Sequence, residues 1–164
     1  MPEEITAADA EETKPFVIFR LGDEEFGMDV MNIKEIARIT TITRVPHTPD
    51  FIEGIINLRG SLSTVINLRK RFGFGPKEID ANSRIIIAEL EDKPVGMLVD
   101  EATEVLKIPV SDIEATPEMA TTEISKEYLW GVGKVENRLI ILLDLKQVLA
   151  KTELEELKEF EVRE

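Results

Sequence analysis

LGDEEFGMDVMNIKEIARI, residues 21–39, lies without a gap over LEDKPVGMLVDEATEVLKI, residues 90–108. The two stretches share Leu21 with Leu90, Asp23 with Asp92, Gly27 with Gly96, Met28 with Met97, Glu35 with Glu104 and Ile39 with Ile108. Downstream, IEGIINLRGSLSTVINL, residues 52–68, lies over LWGVGKVENRLIILLDL, residues 129–145, pairing Gly54 with Gly131 and Leu62 with Leu139. The second copy has a longer connection, 109–128, where the first has 40–51. A repeat of roughly 70 residues is too long for most solenoids and suits a small barrel. It predicts two similar halves of about five short strands each, meeting through apolar faces that neither half covers alone.

Working outward, FVIFRL, FGMDV, IEGIINL and STVINL are rich in Ile, Val and Phe and are broken by Gly, Asp or Asn, which reads as strands. Gly22-Asp23-Glu24 and Arg59-Gly60-Ser61 are short enough to close hairpins, so antiparallel order is expected. The runs 85–88 and 139–143 are apolar at successive positions, so both faces of those strands should be dry where the halves meet. Asp29 to Ile39 carries Val30, Ile33, Ile36 and Ala37 at helical spacing, which fits a short helix or a kinked strand. Leu145 to Phe160 reads as a C-terminal helix with Leu149, Leu154, Leu157 and Phe160 on one side and a Thr152/Glu155 capping box inside it. Residues 1–14, with five acids and few large apolar side chains, read as a loose acidic tail. The expected division is a first barrel over 16–80, a second over 81–150, and a helix or tail over 151–164.

Composition narrows the function. Across 164 residues, 33 acids face 20 Lys and Arg for a net charge of -13, so nucleic acids and anionic membranes are repelled at long range. The absence of cysteine removes thiolate nucleophiles, disulfides and Cys-ligated metals. No apolar stretch approaches the roughly 20 residues that span a bilayer, which predicts a cytoplasmic address. His47, the only histidine, lies in VPHTP between two prolines and reads as a loop residue without a catalytic companion. Glu24-Glu25 and Glu91-Asp92 fall in hairpin turns, where carboxylates are expected to be solvated. Arg59-Gly60-Ser61 and Gly73 to Gly75 match neither a P-loop nor a dinucleotide fingerprint. No catalytic residue, metal or cofactor is indicated.

RVPHTPDFIEGIINLRGSLSTVINLRKRFG, residues 44–73, resembles the most recognisable segment of the CheW family of chemotaxis coupling proteins. FGMDVMNIKEI, VGMLVDEATEVLKI and YLWGVGKVENRLIILLDLKQVL extend the resemblance over about Phe16 to Ala150. It implies an all-β fold of two SH3-like five-stranded barrels around a shared apolar core, with short helices and no enzymatic activity. It also implies an adaptor joining the histidine kinase CheA, through that kinase's regulatory domain, to the cytoplasmic tips of chemoreceptors. No nucleic acid and no membrane insertion are expected, though receptor arrays would hold the protein near the membrane. Similar modules occur within CheA and CheV. This sequence has no phosphotransfer, ATP-binding or receiver segment, so a free-standing adaptor is expected.

Carried over position by position, the resemblance links Ile33, Glu35 and Arg59 to receptor binding, with Val30 and Ile36 able to line the same groove. The repeat sharpens Arg59: its counterpart is Glu136, so the turn itself does not demand arginine. Glu35 and Arg59 are expected to approach each other. Kinase contacts would include Glu53, Gly54 and Leu62 at an end of the first barrel, and Met119. Gly54 also reads as a β-bulge, since Gly131 repeats it, and the apolar residues also read as core. Asn67 stands where the family commonly has Asp. A CheW-like module of another kinase pathway, a small-barrel enzyme and an OB-type nucleic-acid or sugar binder are the competing readings.

Overall fold

In a computed structural model, the described residues are 12–75, 77–90, 92–114 and 129–148. They form eleven strands. The first half contributes β1 (Thr13–Leu21), β2 (Glu24–Asp29), β3 (Ile33–Arg38), β4 (Ile52–Leu58) and β5 (Ser61–Asn67). The second contributes β6 (Arg84–Leu90), β7 (Lys93–Val99), β8 (Glu101–Pro109), β9 (Ile113–Glu114), β10 (Leu129–Val135) and β11 (Arg138–Leu143). Both expected hairpin turns are present: Leu21 pairs with Glu24 and Leu58 with Ser61.

The strands curl into two barrels, one of order β8-β1-β2-β11-β10-β9 and one of order β3-β6-β7-β5-β4. The expected division near residue 80 is corrected, because each sheet takes strands from both halves. The β1–β2 hairpin lies between β8 and β11, and the repeat-related β6–β7 hairpin lies between β3 and β5. Each exchanged hairpin joins its host through one parallel pairing, Phe26 with Ile141 and Val95 with Thr64. The two-residue β9 makes one sheet six-stranded rather than five.

Alternation along the strands divides the apolar residues among three cores. Phe16 and Ile18 join Ile108, Ile140 and Leu142 inside the six-stranded barrel. Ile85 and Ile87 join Ile56, Val65 and Leu98 inside the five-stranded one. The intervening Val17, Phe19, Leu21, Ile86 and Ala88 face the other way, into a larger core between the barrels with Phe26, Met28, Ile66, Phe72 and Leu143. Side chains of successive residues point to opposite faces, so a strand buried on both must be apolar throughout. Burying each such side chain contributes about 1.5–3 kcal/mol. Ile85 to Ala88 meet that expectation completely, whereas the second run departs from it at Leu139, which is 65% exposed.

The segment with helical spacing is the kinked strand. Asp29 caps a single 3-10 turn, Val30–Asn32, by accepting a hydrogen bond from the Met31 amide, and β3 follows. Ile33 pairs with Ala88 and Glu35 with Ile87, leaving Lys34 as an extra, bulged residue. A bulge resets the alternation, so Ile33 and Ile36 share one face while Glu35 and Ala37 share the other. That shift by three mimics a helix. At the C-terminus, the helix Leu145–Val148 is described, and Leu145 and Val148 enter the central core. Leu149, Leu154, Leu157, Phe160 and the Thr152/Glu155 box lie outside the described residues.

Candidate docking site on the five-stranded barrel

The β4–β5 hairpin turns through Arg59 and Gly60, with φ of 51° and 88°. Positive φ at both central residues is the geometry whose twist matches a hairpin, and it is costly for any side chain but glycine, asparagine or aspartate. The Asn57 side chain supports the turn by accepting a hydrogen bond from the Gly60 amide at 2.9 Å. Arg59 is thereby lifted outward, its side chain 73% exposed, and its guanidinium is ion-paired with the Glu35 carboxylate on β3. The turn and the bulged strand bring together two charges distant in sequence, as expected of them.

Around this pair, Val30 and Ile33 are half-buried against the central core, Ile36 is 41% exposed and Met31 is 81% exposed. Val30, Ile33 and Ile36 are therefore neither wholly core nor wholly free. All three lie on or next to β3, with Ile33 and Ile36 on the face opposite Glu35. Met31, which the sequence reading passed over, is the most exposed large apolar residue of the described set. Its spacing gave no warning, since Met28 lies three residues before it and Ile33 two residues after.

The expected kinase contacts do not form one cluster. Leu62 lies at the Arg59 tip, opposite Asn57, and is 61% exposed. Glu53 lies at the other end of the same hairpin, near the Ile52–Ile66 pair, about 13 Å away along the strand. Their common assignment to one barrel end is corrected by this register. Gly54 follows the bulged Glu53, and a Cβ on it would fall 2.3 Å from the Thr43 carbonyl oxygen. Its requirement is thus backbone packing, and Gly131 repeats it against Glu114 at 2.7 Å. Met119 lies outside the described residues.

Asn67 connects Glu53 to the helix Leu68–Phe72. Its Oδ1 accepts from the Lys70 amide at 3.2 Å, capping the helix, while its Nδ2 donates to Glu53 Oε1 at 3.0 Å. Arg69 on that helix is ion-paired with Asp100 at 2.6 Å, and Asp100 also accepts from the Gly22 amide, which ties both exchanged hairpins to the helix.

The repeat-related tip, β10–β11, handles charge differently. Arg138 donates to Glu25 at 3.0 and 2.8 Å and to Glu104 at 2.7 Å. Glu25 is thus no solvated turn carboxylate: the hydrogen bond from Arg138 holds its pKa below the ordinary range, against a smaller opposing effect of burial. The same two acids raise that of the guanidinium. Sequence reasoning missed this clamp. Its signal was a double departure from the repeat, Pro94 in place of Glu25 and Ser61 in place of Arg138. His47 is an exposed loop residue with φ of 66°. Among the described residues no acidic or histidine cluster could hold a metal, and no helix is long and apolar enough to cross a membrane.

Comparison with known proteins matches residues 15–153 to the CheW-like domain. The chain is 37% identical over 139 residues to the chemotaxis protein CheW of Klebsiella aerogenes, covering 85% of this chain and 83% of that one. It is 34% identical over 151 residues to CheW of Thermotoga maritima, covering 92% and 97% respectively. The solved structure of the scaffolding protein TtCheW from Thermoanaerobacter tengcongensis superposes with a TM-score of 0.77 at 38% identity, covering 86% of this chain and 90% of that one. The repeat, the paired barrels and these matches agree: the chain belongs to the CheW family of chemotaxis scaffold proteins.

Proposed function

We propose that this scaffold is a non-catalytic coupling adaptor of the cytoplasm, one surface docking the regulatory domain of the kinase CheA and another docking the hairpin tip of a chemoreceptor. The observation that carries the reading is the Glu35–Arg59 pair: an exposed arginine held in a costly backbone conformation and ion-paired to β3, the strand that also carries Ile33 and Ile36. A receptor helix would lay its apolar stripe along β3, on Val30, Ile33 and Ile36, and exchange charge with the pair at the strand's edge. Glu53 and Leu62, at opposite ends of the β4–β5 hairpin, would meet the kinase, with Met119 at a second contact. Each contact is modest by itself, and an array multiplies weak contacts through effective concentration.

Calorimetric titration against the regulatory domain of a CheA from the same organism, and separately against a receptor-tip fragment, tests this. The unchanged protein should saturate with both, and Arg59→Glu should still bind the kinase while losing receptor affinity about tenfold or more. Loss of kinase binding by Arg59→Glu would merge the two surfaces. No binding to either partner would leave the scaffold in another kinase pathway.

A further inference from the structure

A hollow of about 370 Å³ opens at the Glu53 end of the five-stranded barrel, lined by Glu53, Asn67, Arg69, Lys70, Lys77 and Glu78. Its volume lies in the range of sites that enclose a ligand group or an inserted side chain. By composition it looks cationic, with three bases against two acids. By pairing it is the reverse. Arg69 is bound to Asp100 at 2.6 Å and to the Gly75 carbonyl at 2.7 Å. Lys77 is bound to Asp80 at 2.7 Å, and Lys70 faces Asp50 at 3.9 Å. Among the described residues, neither Glu53 nor Glu78 has a cation within ion-pair distance. The charge left over is therefore negative.

Asn67 aims one of those acids. Buried at 9% exposure, it holds Glu53 through its amide while its oxygen caps the helix that carries Arg69 and Lys70. Aspartate there would place a second carboxylate about 3 Å from Glu53, and like charges at that separation resist joint ionisation. The amide points Glu53 without adding charge. A half-buried carboxylate attracts a cation more strongly than one in bulk water, because the local dielectric is lower.

We propose that this hollow is a socket for a basic side chain, arginine or lysine, of the docked kinase domain, with Glu53 and Glu78 as its counter-charges and Asn67 as the residue that positions Glu53. The proposal rests on the reading that the kinase docks at this end of the barrel. Guanidinium is the better fit, since its planar fork can engage two carboxylates at once.

The test is titration of the full chain with the kinase's regulatory domain across a salt series, using Glu53→Gln/Glu78→Gln and Lys77→Gln variants. The double variant should weaken binding by about tenfold and flatten the salt dependence, as expected for a lost interfacial charge contact. Lys77→Gln leaves Asp80 uncompensated and should tighten binding modestly. A double variant that binds like the unchanged protein overturns the socket while leaving the adaptor reading intact. Tighter binding by the double variant with weaker binding by Lys77→Gln overturns it in favour of an anionic occupant. If the unchanged protein does not bind the kinase domain at all, the adaptor reading fails and the socket with it.

Discussion

The β4–β5 and β10–β11 hairpins are the same object built twice, each with a side chain held at positive φ in its turn, Arg59 at 51° and Glu136 at 55°. They differ in where the cation goes. Arg138 is clamped between Glu25 and Glu104 and is spent on joining the exchanged β1–β2 hairpin to its host barrel. Among the described residues Arg59 is paired with Glu35 alone, and it is presented outward. Glu35 and Glu104 are repeat equivalents, so the acid is common and the use of the arginine differs. Strain at the turn is thus no mark of function by itself, since both tips carry it. Exposure does not separate the tips either, since Glu136 is exposed as well; the sign of the charge presented does.

The largest effect should come from what the two hairpins share. Gly54→Ala would drive a Cβ to 2.3 Å from the Thr43 oxygen at a φ of 152°, and Gly131→Ala to 2.7 Å from the Glu114 oxygen. Overpacking plus backbone strain should cost on the order of 3 kcal/mol at Gly54 and less at Gly131, read as denaturant midpoints. Equal or negligible losses would show that the two bulges are not the rigid frames described.

A smaller effect separates the arginines. Arg138→Gln should destabilise by about 1–2 kcal/mol because Glu25 loses its charge-assisted partner in a half-buried site. Arg59→Gln should change stability by less than about 0.5 kcal/mol, as exposed pairs do. The pH dependence carries the same contrast. Glu25 is lowered in the folded chain, so its contribution is full above the ordinary value of 4.5 and is lost as pH falls through the lowered one. Acid unfolding of the unchanged protein should therefore steepen below pH 4.5, and Arg138→Gln should remove that steepening while Arg59→Gln keeps it. The reverse pattern would invert the comparison.

The smallest effect is a gain. Arg59→Asn converts the tip to Asn-Gly, the preferred pair for a turn with positive φ at both positions, and should stabilise by about 0.5 kcal/mol. Receptor affinity should fall in the same variant, a trade of coupling for stability. Unchanged stability would mean that Arg59 bears no strain.

The repeat made the strands, turns, bulge glycines and dry faces legible, because each follows from local alternation and from glycine's freedom. Which hairpin pairs with which host was not legible. β1–β2 and β6–β7 present the same apolar pattern on both faces, so either sheet satisfies them equally by sequence. The helical spacing from Val30 to Ile36 misled for a physical reason, since a bulge at Lys34 shifts the face by one residue just as a helix would. Arg59 and Glu35 were found from the repeat and the family resemblance. The Glu25 clamp and the separation of Glu53 from Leu62 needed the register.

The exchanged hairpins also give the molecule a two-fold internal plan. Two half-length chains of a single kind, each lending its first hairpin to the other, would generate the same pair of barrels about a two-fold axis. Such a dimer must show identical tips on both sides, and every substitution in one appears in the other. Joining the halves into one chain frees each copy to change by itself, so that one tip can keep its arginine locked while the other offers it. A scaffold with two unlike faces needs that freedom, and a symmetric dimer can never have it.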